Sequence, residues 1–195
     1  AFRAILFRRG TAVTFRNFLV LGSRTLGMQI DGASTLAQVN NGVTQLEIEG
    51  STGLKKNGVE KLNPIVARGF LIDVAAAKGV ANLEAGYEIT LADVRDALSK
   101  QGLADLRLLP GDGVFFRTGW GVHWIKDNAK FNSGEPGIGM EVARWLSDTV
   151  QAGVVGSDTW GLENIPAKDP GCAFCIHAHL LTRHGIVNQE NMDLD

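Results

Sequence analysis

Strand-like apolar runs alternate along this chain with segments of helical periodicity, and that alternation limits the fold more than any other feature. Ile65 to Ala77 is a β-branched and apolar run broken by Arg68-Gly69 and ending in Asp73-Val74-Ala75, which predicts a buried strand whose polar residue faces a site. Thr90 and Asp93 then make a capping-box start. Leu91, Val94, Ala97 and Leu98 form one apolar helical face, and Gly102 supplies the stop. Pro110-Gly111-Asp112-Gly113 is a turn into a strand over Val114 to Arg117. From Met140 to Gln151, Val142, Ala143, Leu146 and Val150 share a stripe, so a helix is predicted there, followed by a short strand at Val154-Val155-Gly156. The pattern is that of an α/β domain with helices covering a sheet, although alternation alone leaves strand order open.

The chain has 195 residues, enough for one domain that buries roughly 70% of its unfolded surface. With 45% hydrophobic and 21% charged residues and a formal charge of −2, it is an ordinary globular sequence, and nothing favours a nucleic-acid partner. The apolar run Phe18-Leu19-Val20-Leu21 is far below the ~20 residues of a membrane span and too short for a signal-peptide core, so a cytoplasmic location and no membrane partner are expected. Cys172 and Cys175 have C-x-x-C spacing, which fits half a zinc site or a redox pair. No second pair exists, and the apolar neighbours Ala173, Phe174 and Ile176 favour a buried strand carrying two small hydrophobic thiols.

Several single residues invite chemistry. Asp73 and Asp158 each follow an apolar strand, where ligand-facing residues of α/β sheets sit, and either can instead cap a turn. Arg117 lies at another such end, with a structural ion pair preferred over an anion-binding role. Gly137-Ile138-Gly139 lacks the preceding strand and the third glycine of a dinucleotide loop, and is read as a turn into the helix. His123 is expected in a solvated loop. His184 is expected near the C-terminus of a helix over residues 178–184, where the helix dipole favours a cation; the role of His179, on the same helix, stays open.

The order of three blocks carries a resemblance: Gly111-Asp112-Gly113-Val114-Phe115-Phe116-Arg117-Thr118-Gly119-Trp120, then Gly156-Ser157-Asp158-Thr159-Trp160, then Ile176-His177-Ala178-His179-Leu180-Leu181. With Gly185-Ile186, Glu190-Asn191-Met192-Asp193-Leu194, Val66 to Val74 and Gly27 to Gly32, they resemble the cyclase family of metal-dependent hydrolases, which includes kynurenine formamidase and isatin hydrolase. The resemblance covers roughly residues 25–195 and implies a swivelling β/β/α domain, a single one over 1–195 that lacks its N-terminal part. The first 24 residues hold five arginines and no acid, a weak transit-peptide bias.

The resemblance also implies a site. Relatives carry His-x-Gly-Thr-His-x-Asp-x-x-x-His, in which two imidazoles and a carboxylate hold a divalent metal and the last histidine shuttles a proton. Here Thr25, Gly27, Met28, Gln29, Asp31 and Thr35 stand at those places, so Thr25 and Thr35 depart from the pattern while Gln29 and Asp31 keep oxygen donors. His177 and Glu190 match the second half of the site, His177 as general acid or base or as ligand. The implied activity is opening of an aromatic amide, lactam or ester by metal-activated water, with manganese or zinc as the metal. Trp120 and Trp160 are candidate walls of an aromatic pocket, with core packing as their other reading. An oligomer, at least a dimer, is implied. The alternative is a binding or structural relative with a degenerate metal site, for which Thr25 and Thr35 speak.

Overall fold

A computed structural model describes residues 64–172 and 174–194 together with two short strands, β1 (Leu6–Phe7) and β2 (Gln29–Ile30). The chain divides into two compact units, Ala1–Ile65 and Val66–Asp195. In the first, β1 and β2 pair in parallel, Leu6 opposite Gln29 and Phe7 opposite Ile30. Thr25, Asp31 and Thr35 lie outside the described residues.

The second unit is built on β3 (Gly69–Asp73), β5 (Gly113–Arg117), β7 (Val154–Ser157) and β8 (Val187–Gln189), a four-stranded parallel sheet in the order β3-β5-β7-β8. Parallel strands need crossovers, and the helices supply them: α1 (Val74–Lys78), α2 (Leu91–Lys100), α3 (Asn128–Phe131), α4 (Met140–Arg144) and α5 (Cys175–His177). A second parallel pair joins β4 (Glu88–Ile89) to β6 (Gly137–Ile138). Ile72, Val114, Phe116 and Val155 on the sheet meet Val94, Val142, Leu146 and Leu180 on the helices, all at most 1% exposed. Each contributes about 1.5–3 kcal/mol by leaving water. The fold is a mixed α/β arrangement with parallel sheets.

The capping box forms as the sequence predicts. Thr90 Oγ1 accepts from the Asp93 amide at 3.2 Å, and Asp93 Oδ2 accepts from the Thr90 amide at 2.9 Å. The strand expected over 65–77 is shorter, because Asp73 accepts from the Ala76 amide at 2.8 Å and turns Val74-Ala75-Ala76-Ala77-Lys78 into α1. Alanine favours helix once such a cap exists. The cysteine segment is also corrected. Cys175 opens α5, and its sulfur is joined to that of Cys172 in a partly exposed loop-to-helix junction, not in a buried strand. Gly137 is part of β6 and not of a turn. No helix among the described residues is long and apolar enough to cross a membrane.

Candidate active site

Because the four strands are parallel, their carboxyl ends lie along one edge of the sheet, and the polar residues that follow them gather there. Asp73, the last residue of β3, pairs with Arg117, the last of β5, at 3.2 Å, while capping α1. Asp158, after β7, is 3% exposed and accepts from the Thr118 amide (2.9 Å), the Thr118 hydroxyl (2.6 Å) and the Gly119 amide (2.7 Å). Burial pushes its carboxyl above the usual range, and those donors oppose the shift. Asp158 thus locks the β5 and β7 ends together. It also borders a cavity of about 410 Å³ with Gly121, Lys126, Asn191 and Met192, where α/β sheets commonly take ligands.

Glu190 directly follows β8, and its Oε1 lies 2.6 Å from His177 Nε2. The other imidazole nitrogen, Nδ1, lies 2.7 Å from Oε1 of Glu163, a residue only 1% exposed. Glu163 also accepts from the His177 amide at 3.2 Å and the Ile176 amide at 3.4 Å, so one buried carboxylate caps the first turn of α5 and fixes the ring. Burial alone would depress the His177 pKa. Its bonds to Glu163 and Glu190 overcome that and raise it to about 9.

A third carboxyl completes the cluster. Glu135 is fully buried, and its Oε2 accepts from the Trp160 amide at 2.6 Å while Oε1 makes no hydrogen bond. Burial raises its pKa to about 8, opposed by the Trp160 and Gly161 amides; Glu190 adds repulsion and His177 attraction. Backbone pairing holds both buried glutamates: Glu135 and Ile165 exchange two 2.8 Å amide bonds, and Ile138 donates to the Leu162 carbonyl at 3.0 Å beside Glu163. Glycine at 137 permits this, since a Cβ there would strike the backbone of Leu162 and Glu163.

Aromatic rings border the imidazole. Phe174 meets His177 edge-on at 5.3 Å and lies 6.2 Å from Trp160, whose indole nitrogen is buried without a hydrogen bond. Trp120 is 1% exposed and donates its indole N–H to the Phe131 carbonyl at 3.2 Å. His123 packs edge-on against Trp120 at 4.8 Å and its Nε2 is buried, so the solvated loop expected for it is not what forms. Of the residues singled out in the sequence, His177 and Glu190 therefore meet, Trp160 lies beside Phe174 near them, and Gln29 is placed in β2. Glu135 and Glu163 were not singled out, and neither Ser133-Gly134-Glu135-Pro136-Gly137 nor Leu162-Glu163-Asn164-Ile165 has a local pattern that marks a buried carboxylate.

Glu163 and Glu190 take up both nitrogens of the one imidazole, so His177 as held here offers no free lone pair to a metal, while Oε1 of the buried Glu135 is unbonded.

The Cyclase family matches residues 14–164, and the chain belongs to it. A solved structure described as a novel cyclase is 32% identical, with a TM-score of 0.53, over 64% of this chain and 39% of its own. Isatin hydrolase A from Ralstonia solanacearum is 20% identical, with a TM-score of 0.51, over 67% of this chain and 48% of its own. The chain therefore spans less than half the length of either structure. No curated protein matches it.

Proposed function

We propose that this chain is a cyclase-family hydrolase that opens a carbon–nitrogen bond, in an amide or lactam beside an aromatic ring, or a related ester, with the help of a divalent metal, manganese or zinc. The observation that carries the proposal is His177, held at both nitrogens by Glu163 and Glu190 beside the desolvated Glu135. The isatin hydrolase among its structural neighbours and the family match support hydrolase-type chemistry. The family match also runs unbroken across residue 65, in favour of one cyclase-like domain over 1–195.

Gln29 and Asp31 are assigned as oxygen donors to the metal by their motif positions alone. A divalent cation there supplies polarisation of the substrate carbonyl and lowers the pKa of water from about 15.7 toward about 7. The protein's own groups handle the protons. As the water oxygen bonds to the carbonyl carbon, its proton passes to Glu190, the most exposed member of the cluster. His177 returns a proton to the nitrogen as the carbon–nitrogen bond breaks, giving an acid and an amine. Glu163 keeps the ring oriented throughout. Phe174 and Trp160 offer an apolar face to an aromatic substrate.

The test is hydrolysis of N-formylkynurenine and isatin with manganese or zinc, in the wild type and in His177→Ala. The expected result is metal-dependent turnover that falls about 10²- to 10⁴-fold in the variant. Turnover that is indifferent to His177 would overturn the assignment. A second reading, a binding protein with a degenerate metal centre, is favoured by Thr25 and Thr35 where relatives carry histidine. It predicts substrate binding without turnover.

A further inference from the structure

A second group of metal-ligating side chains lies on the other side of the helix that carries His177. Asp148, His179 and His184 bring one ligand atom each to within 4.8 Å of one another. His179 follows His177 by two residues, a rotation of roughly 200° on an α-helix. The two rings accordingly have different partners: His177 meets Glu163 and Glu190, whereas His179 meets Ser147.

The backbone explains why His179 and His184 come together. Five residues of α-helix rotate by about 500°, which would leave the two side chains about 140° apart. The turns from Ala178 to Arg183 are instead of the wide π type, which close over five residues and return His184 to the side of His179, and the two rings lie 4.5 Å apart. A second wide stretch, Trp145–Val150 at the end of α4, supplies Ser147 and Asp148. The Ser147 hydroxyl lies 2.9 Å from His179 Nε2 and 2.7 Å from Asp148 Oδ1. That hydroxyl, which also lies 3.1 Å from the Arg144 carbonyl, bridges the imidazole and the carboxylate and holds them side by side. Arg144 and Arg183 are nearby cations that oppose a metal ion, and Asp148 offsets part of their charge.

We propose that Asp148, His179 and His184 form a zinc-binding site separate from the His177 centre. Two imidazoles and one carboxylate suit a borderline ion such as zinc better than manganese or magnesium. Zinc bonds of about 2.0–2.1 Å put tetrahedral donors roughly 3.3 Å apart, so the ligands must draw in by about 1.5 Å at most. Asp148 and His184 are both exposed and free to do so.

Calorimetric titration of the metal-free protein with zinc, joined to NMR of the imidazole signals, tests the site. Zinc should shift the His179 and His184 signals together. Zinc affinity at this site should fall by about tenfold or more in His184→Ala and in His179→Ala, yet stay unchanged in His177→Ala. His184 is exposed, so its variant keeps the fold and gives the cleaner comparison. Unchanged affinity in His184→Ala, zinc binding lost only with His177→Ala, or His179 and His184 signals that ignore zinc would each overturn the proposal.

Discussion

At the scale of single residues, the cluster around His177 ties stability to pH in one direction. Glu135 rises from an ordinary 4.5 to about 8 through burial, and His177 from 6.5 to about 9, its hydrogen bonds to Glu163 and Glu190 outweighing burial. Both groups hold a proton more tightly folded than unfolded, so the stability they confer is full below the unfolded values and is lost as pH climbs through the folded ones. In chelator, the urea midpoint should therefore fall steadily from about pH 5 to pH 9. Glu135→Gln cannot ionise, and the fall in that variant should be confined to the histidine window above about pH 6.5. A wild-type midpoint that rises over the same range would contradict the cluster as described. His177 and Glu190 were legible in the sequence because they sit in a spaced motif. Glu135 and Glu163 were not, since a carboxylate's burial is decided by backbone pairing between 135–138 and 162–165 and leaves no local pattern.

At the scale of elements, the His177 cluster depends on how closely β6 approaches the segment after β7. Gly137→Ala would drive a Cβ into the main chain of Leu162 and Glu163, where no side chain can move aside. The segments must separate, at a cost of about 1–3 kcal/mol, typical of overpacking. The same separation should loosen Glu163 from His177, so NMR titration of that imidazole should show its pKa moving down from about 9 toward 6.5. Destabilisation with an unmoved His177 would show that Glu163 is held by something other than this contact. Helical and strand periodicity exposed most elements: α2 with its capping box, β5, α4 and β7 lie where the apolar pattern puts them. The pattern misled at 74–78, where one aspartate cap outweighed an apolar run, and at Cys175. It was blind to the wide turns at 145–150 and 178–183, because the apolar spacing of a π turn differs too little from 3.6 residues over so short a span.

At the scale of the whole molecule, one part of the motif behind the proposed hydrolase function is intact and one part is altered. His177 and Glu190 are in contact, while Thr25, Gln29 and Thr35 replace histidines of the family motif, and family membership itself rests on a match over residues 14–164. A scaffold that retains the second half should respond to repair of the first. The triple variant Thr25→His, Gln29→His and Thr35→His adds two imidazole donors, which bind divalent transition metals more firmly than a hydroxyl does, and a proton shuttle. General acid–base catalysis is worth about 10²- to 10⁴-fold, so manganese-dependent hydrolysis of an aromatic formamide or lactam should rise by at least the lower figure. The gain should vanish again when His177→Ala is added, because the proton donor of the proposed reaction is then gone. A folded, metal-loaded triple variant with no gain would favour the binding-protein reading. A gain that survives His177→Ala would place catalysis on residues other than the cluster described.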